Sequence, residues 1–289
     1  MPELPEVEVV KRSLENLIVN LSIKSIEINE ANLRYKVRKR EINQIIGLKI
    51  KSIKRRSKYL LFFLTKGIVM IVHLGMTGKF FIVNKNKIKK KTSFYYNLDH
   101  KKDSKHNHIV FTFKNKYKLI YNDVRKFGFI KFDKSSKFEE NYHLKKLGPE
   151  PLESAYNFEY FKKYIMGRNR IIKDLLMDQK FVSGIGNIYA NEILFFSKVR
   201  PNRKIIELED VEIKKILKNT KNILKKAIIL GGSSIKNFSS SSGKAGSFQQ
   251  YFRVYGKKGN NCSNTDCNNK IEKIVLSNRA SFFCSKCQK

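Results

Sequence analysis

The chain has 289 residues and carries 60 Lys and Arg against 25 Asp and Glu, a formal net charge of +35. That length accommodates two domains with cores of their own. A field so positive implies a polyanionic partner, nucleic acid first and an anionic membrane surface second, although a composition rich in Lys, Asn and Ile accounts for part of the excess. The composition excludes a general disulfide framework, because all four cysteines fall between Cys262 and Cys287. The acidic, amphipathic start lacks the pattern of a signal peptide. The most apolar stretch, Tyr59 to Leu74, is broken by Lys66-Gly67 and is too short to span a bilayer. A soluble cytoplasmic, nucleoid-associated protein is expected.

The chain opens Met1-Pro2-Glu3-Leu4-Pro5-Glu6-Val7-Glu8. Proline beside Met1 permits removal of the initiator methionine, which would expose a secondary amine. An α-amino group titrates near ~8, so a useful fraction is nucleophilic at neutral pH. Taken alone, Pro2 and Pro5 more simply start a helix. Val7, Val10, Leu14 and Leu17 recur at helical spacing behind them. The positive end of that helix would depress the amine further, and Glu3 beside it is placed to shuttle a proton.

A β-rich region follows. Tyr59–Leu64 and Ile68–Val72 flank Thr65-Lys66-Gly67, and His108–Phe113 and Tyr117–Tyr121 flank Lys114-Asn115-Lys116, both hairpin patterns. Phe127–Phe132 alternates and closes the set, so a β-sandwich or barrel is expected. Arg55-Arg56-Ser57-Lys58-Tyr59 begins a strand with three cations, and Asn84 to Lys105 reads as a lysine-heavy exposed loop. His73-Leu74-Gly75-Met76-Thr77-Gly78 and Asp123-Val124-Arg125-Lys126-Phe127-Gly128 read as turns. Met76, Arg125 and Phe127 in them are of the kind that fills a gap in a base stack, though each is individually compatible with ordinary packing.

From about Asp133 to Glu153 the chain reads as a linker. Beyond it, Phe158–Met166, Ile171–Asp178, Ile188–Phe196 and Asp210–Leu230 carry helical periodicity. Ser183-Gly184-Ile185-Gly186-Asn187 is a glycine-punctuated entry to a helix, suited to phosphate and equally to a plain turn, with Asn187 a possible cap. Gly231 to Gly246 reads as a mobile Ser/Gly loop. Cys262-x4-Cys267-x16-Cys284-x2-Cys287 pairs two thiol knuckles across a hairpin-length insert, which suits one tetrahedral Zn²⁺ better than two adjacent disulfides. The insert places Arg279 at a basic hairpin tip fit to clamp a phosphate.

Taken together, Pro2-Glu3-Leu4-Pro5-Glu6, Arg55–Leu60, His73-Leu74-Gly75-Met76, Leu147-Gly148-Pro149-Glu150-Pro151, Gly184–Ala190, Gly231-Gly232, Val254-Tyr255-Gly256 and the cysteine hairpin resemble the formamidopyrimidine-DNA glycosylases. The resemblance runs nearly end to end. It implies an α+β protein: an N-terminal helix plus β-sandwich (1–133), a linker (134–153), a helix–two-turn–helix domain (154–245) and a zinc-finger β-hairpin (246–289), with double-stranded DNA between the main domains.

The same resemblance implies excision of oxidised purines through a Schiff base on Pro2, followed by β,δ-elimination, in a monomer acting in base excision repair. Glu3 is then the acid at the sugar ring oxygen, Lys58 acts in the eliminations and on a phosphate, and Arg279 grips the flanking phosphates. His106 (or His108), Arg125, Arg168 and Asn187 are implied DNA contacts, with Met76 and Phe127 beside Arg125 filling the vacated stack. Cys262, Cys267, Cys284 and Cys287 are implied ligands of one structural zinc. The chain departs from the family pattern in its C-x4-C knuckle, in Val124 and Lys126, and in the length of the Asn84–Lys105 segment. An endonuclease VIII-type enzyme for oxidised pyrimidines would share Pro2-Glu3, but Leu4 speaks against it. A noncatalytic damaged-DNA binder would not need Pro2, Glu3, Lys58 and Arg279 together.

Overall fold

Glu3 caps the first helix, α1 (Leu4–Ile18), in an extended conformation, and its backbone N–H donates to Glu6 Oε2 at 2.9 Å in a reciprocal capping box. Pro5 sits in the first turn, where its missing N–H costs nothing. Val7, Val10, Leu14 and Ile18 form one buried stripe along α1. A computed structural model describes residues 1–84, 87–91, 104–233 and 247–289. These fall into two compact units: Met1–Lys145 with Leu230–Gln249, and Lys146–Ile229 with Gln250–Lys289.

In the first unit α1 is followed by β1 (Ile23–Ile28), a short α2 (Lys39–Asn43), β2 (Ile50–Arg56), β3 (Tyr59–Leu64), β4 (Ile68–His73), β5 (Lys79–Asn84), β6 (Lys87–Lys91), β7 (Asn107–Phe113), β8 (Tyr117–Asn122) and β9 (Phe129–Lys134). The strands form two antiparallel sheets, ordered β1-β7-β8-β5-β6 and β2-β3-β4-β9. Apolar faces of both sheets and the α1 stripe share one core, in which the Phe62 ring of β3 meets Phe80 of β5 at 6.1 Å. Each fully buried side chain of this size contributes roughly 1.5–3 kcal/mol. The expected sandwich is present.

Two strand expectations need correction. The strand expected from Phe127 begins at Phe129, because the Gly128 N–H is taken by the Asp123 carboxylate instead of a ladder partner. The segment read as loop from Asn84 contains β6, which pairs with β5 from Asn84↔Lys87 to Phe81↔Lys91. The rest of that loop before residue 104, and residues 234–246 of the Ser/Gly segment, lie outside the described residues.

The second unit is helical: α3 (Phe158–Ile165), α4 (Ile172–Met177), α5 (Asn187–Ser197) and α6 (Asp210–Ile229) precede a hairpin of β10 (Glu272–Leu276) and β11 (Arg279–Phe283). Asn157 caps α3 by accepting from the Tyr160 N–H at 2.9 Å. On α6, Ile213, Ile216, Leu217, Ile223 and Leu224 are buried, as their spacing requires. Between α4 and α5 the Gln179 side chain closes the glycine turn, its Nε2 donating to the Ile185 carbonyl and its Oε1 accepting from the Gly184 N–H, each at 2.8 Å. Gly184 has φ +92, which a side chain would strain. Among the described residues, no helix is long and apolar enough to cross a membrane.

Candidate functional site

In the first unit, Pro2 is buried immediately ahead of α1 and Glu3 is buried beside it. Behind them lies Glu6, fully buried, whose Oε1 accepts from the N–H and hydroxyl of Ser233 at 2.8 and 2.9 Å. Gly232 approaches the same carboxylate so closely that a Cβ would stand 3.1 Å from Glu6 Oε1, and its φ of +78 also favours glycine. The Gly231-Gly232 motif therefore packs on the carboxylate that holds the N-terminus of α1.

Lys58 lies in the β2–β3 turn, made by Ser57 at φ +55, and is itself 5% exposed. Across the ladder Tyr59 pairs with His73, whose Nδ1 accepts from the Gly75 N–H at 3.0 Å. The His73 ring stacks on Phe129 with centroids 5.5 Å apart. Burial drives His73 down to about 3, and the charges of Lys58, Arg34 and the chain's α-amino group push the same way. The imidazole is thus neutral among cations.

His106 and His108 separate cleanly. His108 is buried, with Nε2 2.7 Å from the Asp123 carbonyl oxygen, and belongs to the scaffold; His106 is half-buried at the start of the strand. Met76, Arg125 and Phe127 meet at the surface: Arg125 Nη1 lies 3.1 Å from Met76 Sδ and its guanidinium 4.5 Å over the Phe127 ring.

In the second unit Arg279 opens β11 after a two-residue turn, Ser277 and Asn278, both at positive φ. That is the geometry a tight hairpin needs. Asn187 begins α5 and donates to the Ala280 carbonyl at 3.1 Å, while its Oδ1 is buried with no partner among the described residues. The structure therefore brings Asn187 to the residue next to Arg279. Arg168 stands apart from them, exposed after α3, with its guanidinium 4.1 Å over Tyr164.

Two family models match the chain: the formamidopyrimidine-DNA glycosylase N-terminal domain over residues 1–130 and the H2TH domain of the same enzymes over 147–239. The formamidopyrimidine-DNA glycosylase of Rickettsia bellii (strain OSU 85-389) is 39% identical over 289 residues, with 100% of both chains covered. That of Listeria monocytogenes is 39% identical, again across all of both chains. The chain belongs to the formamidopyrimidine-DNA glycosylase family. Among solved structures, a Lactococcus lactis Fpg in complex with abasic-site DNA superposes with a TM-score of 0.86 at 34% identity, covering 99% of each chain. A mutant of that protein with Fapy-dG containing DNA gives 0.87 at 34%, covering 100% of each.

This glycosylase-family chain gathers its four cysteines into one cluster. Their sulfurs lie within 4.8 Å of one another, with Cys262–Cys287 at 3.8 Å and Cys267–Cys284 at 3.6 Å. A tetrahedral ion with ~2.3 Å bonds to sulfur requires S···S separations of ~3.8 Å, whereas a disulfide requires ~2.05 Å. All four thiols are free, so the donor set fits a tetrahedral metal and is consistent with a zinc finger. Burial holds the Cys262 and Cys284 thiols up, while the backbone at Asn269 draws Cys267 down. The longer C-x4-C knuckle still closes.

Several contributors have no local sequence signal. Lys173 is fully buried in α4, and its Nζ donates to the Ala280 carbonyl at 2.9 Å and to Ser281 Oγ at 2.6 Å. Burial lowers it to about 8, and Arg279 adds to that against Asp174. Ser277 Oγ donates to Asp174 Oδ2 at 2.5 Å, tying the hairpin turn to α4. The buried Glu192 accepts the N–H groups of Arg253, Val254 and Tyr255 at 2.8, 3.1 and 2.8 Å. It thereby explains the Val254-Tyr255-Gly256 motif. A basic residue in an amphipathic helix, or an acidic one in an apolar helix, looks like surface until its partners are known.

Proposed function

We propose that this protein is a bifunctional DNA glycosylase/AP lyase of base excision repair that removes oxidised purines, 8-oxoguanine and formamidopyrimidines, from duplex DNA. The observation that carries the reading is the buried Pro2-Glu3 pair at the positive end of α1, with a buried Lys58 in the same unit. Once Met1 is removed, the helix end and the neighbouring cations disfavour an ammonium on Pro2, which keeps its nitrogen nucleophilic.

Pro2 nitrogen attacks the anomeric carbon of the damaged nucleotide, and the base departs with the glycosidic electron pair and takes up the proton that the Pro2 nitrogen loses. Glu3 then protonates the sugar ring oxygen as the C1′–O4′ bond opens and the nitrogen lone pair forms the C=N bond. The resulting cationic imine acidifies the neighbouring sugar carbon, so the 3′ and then the 5′ phosphate leave, with Lys58 and Arg279 serving the eliminations and holding phosphate. Asn187, His106, Arg168 and Arg125 bind the DNA, and Met76, Arg125 and Phe127 occupy the space vacated by the extruded base. Cys262, Cys267, Cys284 and Cys287 hold one Zn²⁺, which braces the hairpin that carries Arg279. The DNA-bound Lactococcus relatives support the choice of partner.

Borohydride trapping on a duplex with one 8-oxoguanine opposite cytosine, followed by mass spectrometry, tests the reading. A cross-link on an N-terminal Pro2 is expected, and Pro2→Gly should lose it while still binding lesion DNA. Full excision by Pro2→Gly would refute the assignment.

A further inference from the structure

We propose that Asp123 and Thr77 are positioning residues that pre-assemble Met76, Arg125 and Phe127 into one rigid wedge, so that lesion specificity depends on a buried clamp that touches no DNA. The inference rests on the reading of those three side chains as the fillers of the vacated stack.

The trio comes from two loops far apart in the chain, after β4 and after β8. Exposed side chains on separate loops have no reason to share one orientation unless something beneath fixes both backbones. Asp123 supplies that fixture. It is fully buried, and its Oδ1 accepts a short hydrogen bond from the Thr77 hydroxyl and one from the Arg125 N–H at 3.3 Å. Its Oδ2 accepts from the Gly128 N–H at 2.8 Å and from the Tyr121 hydroxyl at 3.3 Å. Thr77 Oγ1 in turn accepts from the Arg125 N–H at 3.0 Å. One carboxylate thus holds the Met76 loop through Thr77, and both ends of the Arg125–Phe127 loop through backbone amides. Burying a carboxylate is costly unless several donors offset it; here each donor belongs to the wedge loops or to the strand beneath them.

The packing is equally close. A Cβ on Gly75 would lie 2.5 Å from both the Gly128 nitrogen and the Phe127 carbonyl carbon, so the loops touch backbone to backbone. Lys126, at φ +55 between Arg125 and Phe127, is pinned by an ion pair with Glu30. Above this base Met76 is 38% and Phe127 45% exposed, two apolar side chains left in solvent and bridged by the Arg125 guanidinium. Exposing them is unfavourable for the free protein. A clamp that keeps them aligned has already paid their ordering entropy before a base is displaced.

The test compares Thr77→Val, which keeps shape and deletes the hydroxyl, with Thr77→Ser, which restores it. Two readouts are taken on the full-length protein: single-turnover excision of 8-oxoguanine from duplex, which needs the stack opened, and strand cleavage at a preformed abasic site, which does not need a base extruded. A 2-aminopurine beside the lesion reports wedge insertion by stopped-flow fluorescence. Expected for Thr77→Val is a fall of about tenfold in the ratio of excision to abasic-site cleavage, with a matching slowing of the fluorescence phase and recovery in Thr77→Ser. Asp123→Asn, which sets an amide N–H₂ against donors, should fall further. An unchanged ratio in Thr77→Val, or equal loss on both substrates, overturns the clamp. Met76→Ala and Phe127→Ala separate the two levels: if they slow the fluorescence phase and Thr77→Val does not, the clamp alone fails. If neither slows it, the wedge reading fails and the clamp with it.

Discussion

His73 illustrates how a single side chain ties two parts of the site together. Its Nδ1 accepts the Gly75 N–H, which requires a neutral ring, and burial next to cations keeps it neutral to about 3. The sign of the resulting pH dependence follows. The unfolded chain takes up a proton on His73 below ~6.5, the folded one does not, so stability is lost as pH falls from 6.5 towards 3. At pH 4.5 the deficit is about 2–3 kcal/mol at ~1.4 kcal/mol per pH unit. Urea midpoints at pH 7 and pH 4.5 should therefore fall further apart for the wild type than for His73→Gln; equal spacing in the two proteins would contradict the assignment. His73 was legible as part of a motif. Its neutrality was not, because that depends on Lys58 and Phe129, which the β3–β4–β9 ladder brings near, and on Arg34, whose N–H is tied to the Gly128 carbonyl.

At the scale of elements, α4 and the β10–β11 hairpin form a mechanical pair. Both ends of the hairpin tip are tied to α4: Ser277 to Asp174, and Ala280 and Ser281 to Lys173. Replacing Lys173 by Met removes the charge-assisted bonds, and it also removes the cost of burying an ammonium. The net stability change should therefore stay within about 2 kcal/mol. The larger expected effect is on Arg279, whose neighbour Ala280 loses its shortest anchor. If the proposed β,δ-elimination is right, Lys173→Met should shift the gel pattern on abasic-site DNA from the β,δ-product towards the β-product. An unaltered product ratio would show that Asn187 and the four-cysteine cluster hold the tip without Lys173. Periodicity marked α4 and the hairpin as separate elements, but nothing in either local pattern signals that a lysine of one satisfies a carbonyl of the other.

At the scale of the whole molecule, the +35 charge sets the expected thermodynamics of association. Each phosphate neutralised releases counterions, so log affinity should fall by roughly 0.9 per log unit of salt for every phosphate contact. Titration of lesion-free duplex between low and physiological salt is expected to give a steep slope; a flat response would leave the cations as solvated surface and remove nucleic acid as the partner. Lys173, whose ammonium is spent on the Ala280 carbonyl and the Ser281 hydroxyl, is buried, whereas Arg125, Arg168 and Arg279 are exposed.

Features set by local chemistry were readable from the order of residues. A helix behind Pro2-Glu3, hairpins at Thr65-Lys66-Gly67 and Lys114-Asn115-Lys116, four helices from Phe158 onward, a metal-spaced cysteine set and a family were all readable, because each rests on periodicity, turn residues or motif spacing within a short window. β1 and β5 were not distinguished, since neither Ile23–Ile28 nor Lys79–Asn84 shows an edge or core identity until paired with β7 and β8. The roles of the buried polar groups emerge from contacts between distant segments. Glu6, Asp123, Lys173 and Glu192 are charged residues that a sequence assigns to the surface, yet burying each becomes tolerable when backbone N–H groups, hydroxyls or carbonyls from distant segments satisfy it.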